Sequence, residues 1–191
     1  MMFRSMCATL VVAAFFAPAV HATNVPLAAD GSWNEFTVDN LAAPAFGNGW
    51  IDFNDGSPLA FDFTIAAGSI GTLTVVDAGF AGDTFNITNF GAALGTTSSV
   101  ATGTTDGPVV FDFDAALADS SFSRGVFTLG AGSYSISGSL LQSVLDAGVA
   151  LNSTNGAVSL SIAAAVPEPS SYALLLLGLC IGGVVTRRRA R

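Results

Sequence analysis

Apolar and polar side chains alternate in short stretches along the middle of the chain. In residues 58–66, polar positions separate four apolar residues that fall on one side of an extended backbone: Leu59, Phe61, Phe63 and Ile65. A period of two residues predicts a half-buried β-strand. The same spacing predicts further strands at residues 35–38, 71–77, 107–114, 126–129, 133–141 and 157–163.

A hairpin is predicted where residues 83–88 and 92–97 flank the turn at Asn89-Phe90-Gly91. Gly91 can supply the positive φ that a tight hairpin turn needs. Residues 139–150, the one stretch with helical potential, are interpreted as a strand that runs into a loop. Short strands separated by Gly, Asn, Asp and Ser turns favour an all-β fold, a single antiparallel β-sandwich or jelly-roll-like domain.

The first 22 residues have the layout of a secretory signal peptide, which would be helical. Arg4 gives a positive start, residues 7–20 are apolar, and Val20-His21-Ala22 resembles a cleavage site. The alternative is a short buried helix that ends near Pro18. We expect signal peptidase to cleave after Ala22 once the general secretion machinery has engaged the chain.

The end of the chain combines three features in order. Pro167, Glu168 and Pro169 precede an uncharged stretch, residues 170–186, and a cluster follows it: Arg187, Arg188 and Arg189. As a helix the uncharged stretch would extend about 25 Å, close to the thickness of a bilayer's hydrocarbon core. It predicts a transmembrane helix with the arginines in the cytoplasm. A plain single-span anchor is the alternative interpretation.

This order of Pro-Glu-Pro, apolar span and arginine cluster resembles the PEP-CTERM sorting signal. The resemblance implies that exosortase, a membrane cysteine protease of Gram-negative bacteria, recognises Pro167-Glu168-Pro169, cleaves nearby, and releases or transfers the outer domain. It also implies transient membrane anchoring and a destination at the cell surface or in the extracellular matrix. Residues 73–85 with Leu94-Gly95-Thr96-Thr97 resemble a pattern of PEP-CTERM outer domains, which carries no assigned chemistry.

The chain thus divides into residues 1–22, residues 23–165 and residues 166–191. It has 14 acidic and 6 basic residues and a formal net charge of -8. In residues 23–165 the imbalance is sharper, because Arg124 is the only base there and Glu168 is the only acid outside. Such a surface repels phosphate backbones, which excludes nucleic acid as a partner.

Rare residue types limit the chemistry of residues 23–165. His21, Cys7 and Cys180 all fall in the targeting segments, and the chain contains no lysine. This excludes Ser-His-Asp and Cys-His catalysis, zinc sites made of His or Cys, Schiff-base chemistry and disulfides in that region. We therefore predict no catalytic residues and no enzyme activity.

Calcium is the one cofactor that the acidic residues leave open. The run from Asp52 to Gly56 looks at first like a calcium loop, but Gly56 and Phe63 stand where an EF-hand needs an oxygen ligand and a glutamate. An acidic turn is the simpler interpretation. A site assembled from separate loops, with Asp77 and Asp83 as ligands, stays open because oxygen ligands are all that this region offers. No metal ligand is otherwise assigned.

Two residue pairs suggest carbohydrate chemistry. On a strand at residues 107–114, Asp112 and Asp114 would share one face, as paired carboxylates do in glycoside hydrolases, but Asp opposite Phe is also the ordinary amphipathic pattern. Trp33 and Trp50 could form a sugar-stacking platform or pack at the edge of a core. Neither pair is assigned a site.

The prediction is therefore an exported protein of the cell surface or matrix, structural or adhesive in role and sorted by exosortase. The alternative is a polysaccharide-binding module that depends on calcium or acts without it. The expected partners are exosortase, the secretion machinery, the membrane through the C-terminal helix, and exopolysaccharide.

Overall fold

A computed structural model of the protein describes residues 23–165, together with Leu174 and Leu177. The strands are β1 (Thr23–Pro26), β2 (Asp30–Asp39), β3 (Leu59–Ile65), β4 (Ser69–Phe80), β5 (Thr84–Asn89), β6 (Ala92–Thr96), β7 (Val109–Val110), β8 (Arg124–Leu129), β9 (Gly132–Gln142), β10 (Leu145–Asp146), β11 (Val149–Ala150) and β12 (Ser153–Ala164). A helix, α1 (Phe113–Ala118), and a 3-10 turn at Pro44–Phe46 lie between strands.

The first sheet has the strand order β1-β3-β9-β5-β6. Its neighbours are antiparallel except β1, which runs parallel to β3 and which the sequence pattern did not predict. The β5–β6 hairpin turns at Phe90 and Gly91, with φ values of 48° and 78°. The predicted hairpin is confirmed, although a phenylalanine occupies a left-handed position that favours glycine or asparagine.

The second sheet is built around β4, the longest strand along with β12. Its order is β2-β12-β4, and the far edge of β4 pairs with both β8 and β7. β10 and β11 form a separate small hairpin after β9. Residues 139–142 continue β9 as the interpretation of residues 139–150 required, but a hairpin stands where a loop was expected.

The hydrophobic core lies between the inner faces of the two sheets. The rings of Phe36 and Trp50 stack at its centre with centroids 3.8 Å apart, and Phe85 meets both rings edge-on. The buried apolar side chains around them include Val38, Leu59, Phe61, Phe63, Ile65, Leu73, Val75, Ile87, Leu129, Ile136, Leu140, Val158 and Leu160. The predicted all-β, mainly antiparallel sandwich is therefore confirmed.

The strand predicted at residues 107–114 is wrong beyond Val110. The Asp112 carboxylate accepts hydrogen bonds of 3.0 Å from the backbone N–H groups of Asp114 and Ala115. These bonds satisfy free donors of the first helical turn, and the alanines that follow favour a helix. The hydrogen bonds of the Asp112 N-cap therefore stabilise a helix here, although the alternation of Asp and Phe is typical of a strand.

Helix α1 covers the outer face of the second sheet. Ala116 and the nearby Phe122 are buried against Val76 of β4 and Ala157 of β12. Because Val75 faces the main core, β4 is covered on both of its faces. The residues from Val75 to Gly79, including Asp77, are therefore removed from water, whereas Thr72 and Thr74 stay partly exposed.

Candidate functional site: a buried pair of aspartates

Asp77 and Asp83 lie close together in the interior, and both are fully buried. Asp77 stands in the doubly covered part of β4, and Asp83 directly precedes β5. The turn between them passes through Gly82, where φ is 125° and a Cβ atom would lie 2.3 Å from the backbone nitrogen of Gly103. Only glycine fits this turn, which brings the two carboxylates into one site.

Backbone donors bind one oxygen of each carboxylate. Asp77 Oδ2 accepts hydrogen bonds from the N–H groups of Gly82 and Asp83 at 3.4 and 3.2 Å. Asp83 Oδ1 accepts a hydrogen bond of 2.7 Å from the N–H of Val144. The other two oxygens, Asp77 Oδ1 and Asp83 Oδ2, are buried without a hydrogen-bond partner in the described residues. The pair thus fastens the turn before β5 to the segment after β9.

The interior raises the pKa values of both carboxyl groups. Burial, with a further contribution from the charge of Asp83, raises the pKa of Asp77 to about 9. Burial raises the pKa of Asp83 to about 6, against the lowering effects of the nearby Thr154 side chain and of the hydrogen bond from the Val144 N–H. At neutral pH the pair therefore holds one proton. A proton on Asp77 removes one of the two buried negative charges, which reduces the cost of burying both groups.

Calcium needs more ligands than the pair supplies. The two carboxylates and the Thr154 hydroxyl are oxygen donors, whereas calcium takes about six to eight oxygen ligands. Within residues 23–165, no three acidic, His or Cys side chains are grouped so that they could hold a metal ion. The structure does bring Asp77 and Asp83 together, and calcium binding between them stays a prediction.

Asp112 and Asp114 lack the strand geometry on which the glycosidase hypothesis rested. Asp112 is the N-cap of α1, and Asp114 Oδ1 accepts a hydrogen bond of 3.0 Å from the indole N–H of Trp33. The two carboxylates therefore have structural partners in and around the helix, and they do not stand side by side on a sheet.

Trp33 and Trp50 form no common platform. Trp50 is buried in the core against Phe36. Trp33 lies on the other side of the second sheet, half-buried, with its ring centroid 5.9 Å from that of Phe113. Each tryptophan instead packs in a hydrophobic cluster, which is closer to the alternative interpretation of packing at a core.

The acidic segment from Asp52 forms a turn, as expected, and it presents an aromatic ring. Asp52 Oδ1 accepts hydrogen bonds from both the backbone and the side-chain amide of Asn54, at 2.7 and 2.9 Å. Phe53 between them is 76% exposed. Beside it lies a cleft of about 270 Å³, whose lining residues are Val25, Asn34, Glu35, Asp52, Phe53, Asn54, Leu59 and Phe61. We call it the Phe53 cleft.

Sequence reasoning missed the Phe53 cleft because its walls come from β1, β2, β3 and the turn. These segments follow one another within residues 23–65, but the fold places β1 and β3 in one sheet and β2 in the other, so no local pattern shows that their residues meet. The one local signal was Phe53, because an aromatic residue is uncommon among the polar residues that form a turn.

The family model of the PEP-CTERM protein-sorting motif matches residues 165–189. The match contains Pro167, Glu168 and Pro169 and ends at the arginine cluster, as the resemblance implied. This chain carries the PEP-CTERM sorting motif. It is a secreted protein that exosortase processes, with a destination at the cell surface or outside the cell.

Comparisons with curated proteins and with solved structures reveal little more about this PEP-CTERM protein. No curated protein matches its sequence. The pre-peptidase C-terminal domain of a collagenase from Bacillus anthracis is 10% identical with a TM-score of 0.35, over 75% of this chain and 95% of that one. PliG from Aeromonas hydrophila, a periplasmic inhibitor of g-type lysozyme, is 13% identical with a TM-score of 0.34, over 74% of this chain and 97% of that one. Similarity at this level carries no functional argument.

Most of the PEP-CTERM protein's targeting residues lie outside the described part of the chain. This holds for the signal peptide with its cleavage site at Ala22, and for Pro167, Glu168, Pro169, Arg187, Arg188 and Arg189. Leu174 and Leu177 are helical and exposed. Among the residues that are described, no helix combines the length and apolar character needed to cross a bilayer. The signal peptide and the transmembrane helix stay predictions.

Proposed function

We propose that this PEP-CTERM protein is a structural or adhesive component of the extracellular polysaccharide matrix, without a catalytic role. It loses residues 1–22 during export, is held briefly at the membrane, and is released when exosortase cleaves near Pro167-Glu168-Pro169. The observation that carries the proposal is the position of the motif. β12 ends at Ala164, and the matched motif begins at residue 165. Cleavage at Pro-Glu-Pro would leave every strand of the sandwich intact.

The charge of the domain supports a hydrated, extracellular role. Every acidic residue of residues 23–165 except Asp77 and Asp83 reaches the surface, where Arg124 is the only base. A surface of one sign keeps protein molecules apart and soluble. This suits a protein that is dispersed among polysaccharide chains.

The processing step is tested by the intact mass of the protein from cells and from medium, with and without the host's exosortase. We expect the released form to begin at Thr23 and to lack the arginine tail. Replacing Pro167, Glu168 and Pro169 by alanine should leave export intact and block release, whereas alanine at Ser170 and Ser171 should not. A released protein that keeps its tail, or one released equally well without Pro-Glu-Pro, would remove the exosortase step.

The matrix role is tested separately by fractionating the host's extracellular matrix. We expect the mature protein to remain with the polysaccharide fraction, and a deletion strain to form a less cohesive matrix. Free mature protein in the medium, with an unchanged matrix in the deletion strain, would contradict a structural role. A polysaccharide-binding module is the second candidate function, which the Phe53 cleft favours.

A further inference from the structure

We propose that the Phe53 cleft binds a strand of neutral polysaccharide. The proposal deepens the matrix function and rests on it for the source of the ligand. The cleft opens where β1 and β3 of the first sheet approach β2 of the second, and the turn at residues 52–56 closes one side.

The lining of the cleft has two kinds of surface. The exposed Phe53 ring and the half-buried Val25 form its apolar surface, and the core side chains Leu59 and Phe61 lie beneath them. The polar lining residues are Asn34, Glu35, Asp52 and Asn54. An apolar pocket with a few oriented polar groups is the usual form of a small-molecule site. A sugar ring matches it, because one of its faces carries C–H groups and its edge carries hydroxyls.

Hydrogen bonds within the turn hold it in place before any ligand binds. The Asp52 N–H donates to the Ser57 carbonyl, and the Gly56 N–H donates to the Asp52 carbonyl, both at 2.9 Å. Asp55 Oδ1 accepts from the Ser57 N–H at 2.9 Å, which closes the turn further. Because the backbone of the turn is already held in place, it needs no further ordering when a ligand contacts Phe53. This reduces the entropic cost of association.

Glu35 is positioned by a second strand. Its Oε1 accepts a hydrogen bond of 3.0 Å from the side-chain amide of Asn155 in β12. The carboxylates of Glu35 and Asp52 are acceptors, so they match a ligand whose polar groups are donors. Hydroxyl groups are such donors.

The negative charge of the cleft disfavours an anionic ligand. The cleft contains two carboxylates and no base, and Arg124 is the only base in residues 23–165. A uronic acid or sulfated polymer would meet repulsion there, whereas a neutral glycan would not. An apolar peptide segment would fit the Phe53 ring, but it offers the two carboxylates only its backbone N–H donors, whereas a sugar carries several hydroxyl donors on each ring.

Affinity electrophoresis tests the proposal with the mature protein purified from the host. The gels contain the host's neutral exopolysaccharide fraction, dextran or galactomannan, and alginate serves as the anionic probe. We expect retardation by at least one neutral polysaccharide and none by alginate. Phe53→Ala should weaken the apparent affinity at least tenfold, and Phe53→Tyr, which keeps the ring, should restore it.

Phe90→Ala is the matched control, because Phe90 is also exposed, at 69%, and lies in the β5–β6 turn away from the cleft. Its affinity should stay within twofold of the wild type. Thermal unfolding of each variant shows that it is folded. The proposal is overturned if no neutral polysaccharide retards the protein, or if Phe90→Ala weakens binding as much as Phe53→Ala. It is also overturned if an apolar peptide competes for the cleft and polysaccharide does not.

The outcome is separable from that of the matrix function. A protein that the gels retard but that fractionates away from the matrix would keep the binding site and remove the structural role. A protein that stays in the matrix but that no polysaccharide retards would keep the structural role and remove the binding site.

Discussion

The buried Asp77–Asp83 pair predicts that the domain loses stability as pH rises. Both groups have folded pKa values above the ordinary value of 3.8, about 9 for Asp77 and about 6 for Asp83. The folded protein therefore binds more protons than the unfolded chain between these values. Stability from this source is fully present below about pH 4 and is lost as pH rises through the folded pKa values.

The range from pH 6 to pH 8 isolates Asp77. Above pH 6 Asp83 is mostly ionised in both states, and only Asp77 keeps a proton in the folded state alone. One such proton corresponds to about 1.4 kcal/mol of unfolding free energy per pH unit. The wild type should therefore lose about 3 kcal/mol over two pH units, or roughly 6 to 12 °C in Tm for a domain of this size.

Asp77→Asn removes the ionisation and keeps the shape. Its carbonyl oxygen can still accept from the backbone N–H groups of Gly82 and Asp83. We expect its Tm to match the wild type near pH 6, to vary little up to pH 8, and to exceed the wild type there. Asp106→Asn, which removes an exposed carboxylate, is the charge-matched control and should keep the wild-type slope.

Circular dichroism melts at pH 6, 7 and 8, at constant ionic strength, measure these slopes. A wild-type Tm that does not change over this range would refute the assignment of a raised pKa to Asp77. An Asp77→Asn variant that loses stability as steeply as the wild type would place the titrating group elsewhere.

Three further predictions concern packing, capping and calcium. Gly156→Ala should cost about 1 to 3 kcal/mol in urea unfolding, because its Cβ would lie 2.4 Å from the Phe36 ring; an unchanged midpoint would contradict that packing. Asp112→Ala should cost about 1 kcal/mol in the same assay by removing the cap of α1, and Asp112→Ser should recover most of it, an outcome that a lost surface charge alone does not predict. A chelator should leave the Tm unchanged if a proton alone occupies the aspartate pair, whereas a calcium-dependent rise that Asp77→Asn abolishes would establish a calcium site.

Strand prediction succeeded where a strand has one covered face. β3 is such a strand: Phe61 and Phe63 point to the core, while Asp62 and Thr64 alternate with them. It failed at residues 107–114, where the pattern was equally regular. There the hydrogen bonds of the Asp112 side chain to the backbone decided the structure locally, and alternation does not measure such bonds.

The candidate sites were less predictable than the fold. The sequence named Asp77 and Asp83 only as possible oxygen ligands of a calcium site assembled from separate loops. Their complete burial depends on the turn at Gly82 and on the segment after β9, whose Val144 N–H binds Asp83, and no local pattern records this contact. Trp33 and Trp50 were paired on residue type alone, and the sheet between them keeps them apart.

The sequence by itself determined the protein's sorting and its class of fold. The sorting signal is contiguous along the chain, so its order of Pro-Glu-Pro, apolar span and arginines is legible without a structure. The tertiary structure alone decided which acids are buried and where a ligand could bind. Buried sites and clefts form where separate strands and turns pack together. The contacts that stabilise them are made between the two sheets, so no single stretch of residues shows them.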